Sequence, residues 1–319
     1  GLQDYLGDRA RVFYSEGCHL YKQSISPMGW TNDRISEVKA VCSRSDVVVA
    51  CLGLDSGLEG EEGDTGNQFG SGDKPDLDLP GIQEDVLEAM YESGKPVVLV
   101  LLSGSALAVN WAQEHIPAII QGWYPGALGG RAIAEAIFGE FSPSGKLPVT
   151  FYRGVEELPD FTDYSMRNRT YRYMKQEALY PFGYGLSYTD FDIGGVETNR
   201  IDITDEGIDV SLWVENTGKM PGSEVIQIYV KAELPDTPNP QLKAFTKVRL
   251  DKCERRRLML HLPIEAFSLY DARGRQLVHK AVYTVYVGDS QPDCRSAGLT
   301  GKRPFAFKLA ADAERQIYK

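Results

Sequence analysis

The chain has 319 residues, with 34 Lys+Arg against 45 Asp+Glu for a net charge of −11, and 42% of its residues are apolar. That is the composition of folded domains, and it excludes wholesale disorder and a fibrous repeat. At roughly 100–200 residues per domain, the length accommodates two domains, each large enough to bury a core. The longest basic run is Arg255-Arg256-Arg257. Nucleic acid demands clustered Lys and Arg to neutralise phosphates, so it is set aside as a partner. The longest apolar stretch, Pro96 to Ser103, is of strand length and far short of the roughly 18–20 residues of a spanning helix, so no membrane partner is expected.

The chain opens Gly1-Leu2-Gln3-Asp4-Tyr5, without an initiator Met and without the basic and apolar regions of a signal peptide. It reads as a piece of a longer polypeptide. From Arg34 to Tyr152, short apolar runs alternate with segments of helical period. Asp46 to Leu52, Pro96 to Leu102, Ala118 to Ile120 and Leu147 to Phe151 read as strands, and continuous apolar runs of this kind suit a sheet buried on both faces. Pro80 to Ser93 places Ile82, Val86, Leu87 and Met90 on one helical face, with Pro80 at its start and Gly94 beyond its end. Ser105 to His115 and Gly130 to Phe138 read as two further helices. Alternating strands and helices predict an α/β fold, a mostly parallel sheet flanked by helices.

After about Tyr188 the period changes to two. Ile208, Val210, Leu212 and Val214 alternate with more polar neighbours, Asn216-Thr217-Gly218 makes a turn, and Val225 to Val230, Phe245 to Leu250, Leu258 to Leu262 and Val282 to Val287 continue the series. Strands at this spacing without intervening helices predict an all-β sandwich of immunoglobulin or fibronectin type, with Trp213, Phe245 and Tyr286 in or near its core. The expected domains are 1–190 and 191–319. Cys18, Cys42, Cys51, Cys253 and Cys294 are odd in number and lack CxxC spacing. They read as free, mostly buried thiols rather than a disulfide frame or zinc site. Free thiols favour the cytoplasm, with secretion the alternative.

One window departs from this regular background. Residues 57–73, from Gly57-Leu58-Glu59-Gly60-Glu61-Glu62 to Asp73, hold six glycines and five carboxylates, with no cation before Lys74. The window follows the strand ending near Leu52, on the side where open α/β sheets place ligand crevices. It reads as a solvated acidic loop, as a metal site, or as a loop that carries a general acid/base Glu to a bond held by another surface. The metal reading lacks the ligand series of an EF-hand. The glycines match neither GxGxxG nor GxxxxGK[ST], so neither nucleotide nor other cofactor is expected. Ser103-Gly104-Ser105 follows a strand without forming GxSxG, and His19, His115, His261 and His279 are scattered.

Four segments carry a resemblance to a known family. They are Gly57 to Glu62 with Gly72-Asp73-Lys74 and Leu79-Pro80-Gly81-Ile82-Gln83; Gly122-Trp123-Tyr124-Pro125-Gly126 with Gly129-Gly130-Arg131 and Pro143-Ser144-Gly145-Lys146-Leu147-Pro148; Asp163-Tyr164 with Asn168 to Tyr173 and Leu179 to Thr189; and Val214 to Val230 with Tyr286-Val287-Gly288. In this order they resemble the C-terminal half of glycoside hydrolase family 3, the β-glucosidases and β-xylosidases. The resemblance implies an α/β sandwich, here without its first strand, then a fibronectin type III-like domain. It also implies an N-terminal (β/α)8 barrel, absent here, that carries the catalytic Asp nucleophile, since eight strand-helix units need about 250 residues by themselves.

That likeness implies a retaining glycosidase whose loop carboxyl is acid in the first step and base in the second. Glu59 is the first choice for that carboxyl, with Glu61 and Glu62 as alternates. Asp73, Lys74, Tyr124, Tyr164, Arg167, Arg169 and Tyr171 are the expected carbohydrate-binding residues, with packing as the competing role for Tyr171. Lys74 stands where many relatives have Arg and lacks its bidentate fork. The implied partners are a carbohydrate substrate and the missing barrel, with a homodimer also among the expectations. The chain alone is expected to be inactive. The alternative function is a non-catalytic carbohydrate-binding or interaction module.

Overall fold

The computed structural model describes residues 1–23, 28–30, 34–59 and 74–317. These form two units, one of Gly1–Phe138 with Phe151–Glu157, the other of Gly139–Thr150 with Leu158–Lys319.

The first unit runs α1 (Leu2–Leu6), α2 (Ile35–Ser43), β1 (Val48–Gly53), α3 (Gln83–Tyr91), β2 (Val97–Leu102), α4 (Asn110–His115), β3 (Ala118–Gln121) and α5 (Gly129–Ile137). The three strands make a parallel sheet in the order β1-β2-β3, with Val48 opposite Val97 and Val98 opposite Ala118. β2 is central, and Val97, Leu99, Val100 and Leu101 are buried, as a strand covered on both faces requires. α3 starts after Pro80 and stops before Gly94, which takes a left-handed φ of 73° that costs glycine nothing. Its Val86, with Ile82 just ahead of the helix, packs against Val38 and Cys42 of α2.

Two expected elements are corrected. The helix read from Ser105 begins only at Asn110, because the Ala108 N–H is taken by the Leu77 carbonyl at 2.8 Å and not by a helical partner. Leu147 to Phe151 is no strand. Leu147 exchanges its two backbone bonds with Tyr184 and Gly183, both at 2.8 Å, and Pro148 has no N–H to extend a ladder.

The second unit contains α6 (Thr170–Tyr173), β4 (Phe191–Thr198), β5 (Ile208–Asn216), β6 (Gly222–Ala232), β7 (Gln241–Leu250), β8 (Arg255–Leu262), β9 (Leu269–Tyr270), β10 (Gln276–Val278), β11 (Val282–Gly288), α7 (Cys294–Thr300), β12 (Phe305–Ala310) and β13 (Arg315–Gln316). A four-stranded sheet, β12-β11-β6-β7, and a three-stranded sheet, β4-β5-β8, are antiparallel throughout; a small sheet β13-β10-β9 accompanies them. Val210, Leu212 and Val214 of β5 share one core with Ile226, Ile228 and Val230 of β6, the packing of a sandwich. The turn after β5 is held by Asn216, fully buried, whose side chain accepts from the Thr189 hydroxyl at 2.7 Å and donates to the Met220 carbonyl at 2.9 Å.

Phe245 is not a core residue: it is 67% exposed on β7, where the core-facing positions are Val248 and Leu250. Trp213 and Tyr286 are half-buried. Trp213 lies across Gly194 and Gly195 of β4, with the Arg255 guanidinium 3.8 Å above its ring. All five cysteines are free, but only Cys42 is buried and Cys51, Cys253 and Cys294 are exposed. Cys51 lies in an apolar run, yet it faces outward from β1, where the burial alternates. Among the described residues no helix is long and apolar enough to cross a membrane.

Candidate active site

The end of β1 is fixed from three directions. Gly53 has a φ of 139°, and a Cβ there would fall on the Leu102 carbonyl. Gln83, at the start of α3 and 1% exposed, accepts from the Gly53 N–H at 2.7 Å and donates to the carbonyls of Gly53 at 2.8 Å and Leu20 at 2.7 Å. The Leu54 N–H reaches the Leu102 carbonyl at 2.7 Å. A buried amide that satisfies both groups of one strand residue is a rigid clip, since breaking it strands polar atoms away from water.

Beyond this clip the chain makes one helical turn. The Asp55 carboxylate accepts from the backbone N–H groups of Gly57 at 3.0 Å and Leu58 at 2.9 Å, and the Asp55 carbonyl accepts from Glu59 at 3.2 Å. This is the local cap that Asp readily supplies. Leu58 is buried, and Glu59 turns toward the ends of the neighbouring strands.

There, among the described residues, its carboxylate meets three donors. Glu59 Oε2 accepts from the Gly104 N–H at 2.7 Å and from the Tyr124 hydroxyl, and Oε1 accepts from the Ser105 hydroxyl. Gly104 and Ser105 follow β2, and Tyr124 follows β3, so the carboxyl ends of three adjacent parallel strands converge on one carboxylate. Ser103, fully buried, braces the turn: its hydroxyl donates to the Ser105 carbonyl at 2.8 Å and accepts from Gln121 at 3.0 Å. Trp123, with a φ of 53°, reverses the backbone before Tyr124 and sets its ring edge-on to Phe151. Desolvation, then the hydrogen bond and charge of Glu59, push the Tyr124 phenol well above its ordinary range.

Lys74, where the described chain resumes, is mostly buried. It donates to the Asp78 carbonyl and lies 3.4 Å from the Asp76 carboxylate. Burial pushes its ammonium down, against the opposing pull of Asp76, Asp78 and Glu59. Glu61, Glu62 and Asp73 lie outside the described residues.

The remaining sequence candidates belong to the second unit. Tyr164 is 82% exposed, and Arg167 bonds the nearby Ser165 hydroxyl at 3.2 Å. Arg169 ties its own loop together through the carbonyls of Asp160 at 2.8 Å and Asp163 at 3.1 Å. Tyr171 is buried, stacked on Phe182 at 4.2 Å and edge-on to Tyr229, with its hydroxyl accepting from the Leu242 N–H at 3.2 Å. Its ring is taken up by packing. Met166, Asn168 and Thr170 all have positive φ. For the β-branched Thr170 that is a strained conformation of the kind that gathers at ligand sites.

The structure thus brings Glu59 and Tyr124 together, with Lys74 near enough to feel the Glu59 charge. Sequence reading passed over Gly104 and Ser105 because they fit no nucleophile motif. Gln83 carries its own sequence signal, since a Gln inside a helical apolar face points to a buried amide partner.

A family model described as the glycosyl hydrolase family 3 C-terminal domain matches residues 1–188, and one described as a fibronectin type III-like domain matches residues 224–291. Among curated proteins, a xylan 1,4-β-xylosidase of Xylanibacter ruminicola is 38% identical over 82% of this chain and 30% of its own length. A β-xylosidase of Formosa agariphila is 32% identical over 95% of this chain and 41% of its own length. Among solved structures, a β-glucosidase from Erythrobacter marinus has a TM-score of 0.79 at 31% identity, covering 97% of this chain and 42% of that one. A β-glucosidase from Kluyveromyces marxianus, solved in complex with glucose, has a TM-score of 0.76 at 27% identity, covering 90% of this chain and 34% of that one. The chain therefore spans less than half the length of these relatives.

Proposed function

The chain belongs to glycosyl hydrolase family 3, and on that premise we propose that it is the C-terminal part of a retaining β-glycosidase acting on β-xylosides or β-glucosides. Its contribution is the general acid/base carboxyl, drawn from Glu59, Glu61 and Glu62, while the nucleophile Asp sits on a barrel outside this chain. The observation that supports this most directly is where the carboxyl-rich segment starts: Glu59 lies at the carboxyl ends of three parallel strands, beside Gly104, Ser105 and Tyr124. Open α/β sheets bind their ligands at that edge, and a segment rich in carboxyl groups and glycine starts there.

In a retaining mechanism two carboxyls flank the glycosidic bond about 5–5.5 Å apart. One attacks the anomeric carbon while the other protonates the leaving oxygen; the second then removes a proton from the water that hydrolyses the glycosyl-enzyme. A chain holding only one of the pair gives no turnover. Tyr124 and Lys74 supply an aromatic and a cationic group for sugar contacts in this reading, and Asp73 accompanies Lys74 in sequence.

The test joins the chain to its native upstream residues and assays aryl β-xylosides and β-glucosides. Hydrolysis by the longer polypeptide and none by residues 1–319 is the expected result. No hydrolysis by the longer polypeptide would remove the glycosidase reading and favour a binding module.

A further inference from the structure

Among the described residues three donors point at the Glu59 carboxylate, and one of them, the Gly104 amide, is fixed in the backbone and cannot rotate away. A group that shuttles a proton must present an oxygen to the substrate. Three of the roughly four acceptor positions of the Glu59 carboxylate are taken by protein donors, on a platform braced by Ser103, Gln121 and the strained turn at Trp123. Lys74, the residue that follows the acidic segment in sequence, is mostly buried and bonds the Asp78 carbonyl beside the Asp76 carboxylate. Glu59 therefore has the surroundings of an anchor: charge-assisted bonds to groups 45, 46 and 65 residues away in sequence.

We propose that Glu59 is a positioning residue, whose carboxylate fastens the start of the acidic segment to the Gly104-Ser105 turn and to Tyr124, and that another carboxyl of the enzyme transfers the proton. This rests on the glycosidase reading for its catalytic half, while the anchoring half stands on geometry alone. The raised phenol of Tyr124 accords with it, since a neutral hydroxyl is the donor the carboxylate needs.

The two halves are tested separately. In the present chain, hydrogen exchange is followed at the Gly104 amide. Glu59→Ala is expected to speed it by about tenfold or more, and Tyr124→Phe by a smaller factor, because a hydrogen bond to a charged group is lost or loosened. Unchanged exchange in Glu59→Ala overturns the anchor.

In the polypeptide carrying its native upstream residues, Glu59→Gln and Glu59→Ala are assayed on dinitrophenyl and phenyl β-glycosides, with and without azide. A positioning role predicts losses that agree within about threefold between the good and the poor leaving group, no rescue by azide, and an alkaline limb of the pH–rate profile that persists. Near-normal cleavage of the dinitrophenyl glycoside, a steep loss on the phenyl one and restoration of turnover by azide would show that Glu59 is the acid/base and overturn the proposal. Inactivity of the unmutated long polypeptide would count against the glycosidase reading, leaving the exchange experiment to judge the anchor.

Discussion

Gly104 lies where a single methyl group would press on the Glu59 clasp, because a Cβ there would stand 2.8 Å from Glu59 Oε2 and 2.9 Å from the Tyr124 ring. Gly104→Ala is therefore expected to loosen both contacts while leaving the buried sheet intact. In the polypeptide with its upstream residues, kcat/KM should fall by about tenfold or more, with a melting temperature within a few degrees of the parent. A second residue-scale test concerns Lys146 and Glu224, an ion pair at 2.9 Å in which both side chains are nearly inaccessible. Burial raises the Glu224 carboxyl above its ordinary 4.5, opposed by Lys146. Lys146→Met leaves a buried carboxylate without its cation and should cost about 3–5 kcal/mol at neutral pH by urea unfolding. The sign with pH is fixed: a carboxyl whose folded pKa is raised contributes stability that is full below about 4.5 and lost as pH rises through the folded value. The deficit of Lys146→Met should thus shrink as pH falls from neutral through the folded value toward about 4.5 and change little below it, and a deficit independent of pH would contradict this account of Glu224.

At the scale of elements, β1 ends at a position that admits only glycine. Gly53→Ala places a Cβ on the Leu102 carbonyl and forces a φ of 139° on an L-residue, so the first unit should lose about 3 kcal/mol or fail to fold, as read by thermal unfolding. The strands β1, β2, β5 and β6 and the helix α3 were legible in the sequence because each buries a periodic face, and periodicity is a local property. Ser105 to Val109 and Leu147 to Phe151 were misread because backbone groups within them bond to Leu77, Gly183 and Tyr184, partners that no local window contains. Phe245 was misplaced for a related reason: in a short alternating run the face toward the core is set by register, here by Val248 and Leu250. The acidic segment was legible from composition alone. The clasp that holds its start was not, because Gly104, Ser105 and Tyr124 reach Glu59 only through the parallel order of β1, β2 and β3.

At the scale of the whole molecule, the chain covers 30% of the Xylanibacter ruminicola relative and 41% of the Formosa agariphila one. A family match over residues 1–188 and a fibronectin type III-like match over residues 224–291 account for most of its length. The net charge of −11 is partly local, since five of the 45 acidic residues fall in the 57–73 segment. If the reaction needs two carboxyls from different domains, residues 1–319 alone should show no turnover of any aryl β-glycoside, a result checked against a buffer blank. The most direct test of the central claim is the anomer first released when the polypeptide with its native upstream residues hydrolyses an aryl β-xyloside or β-glucoside, followed by proton NMR before mutarotation. The account predicts the β-anomer, the product of two inversions through a glycosyl-enzyme; initial release of the α-anomer, or no hydrolysis at all, would contradict it.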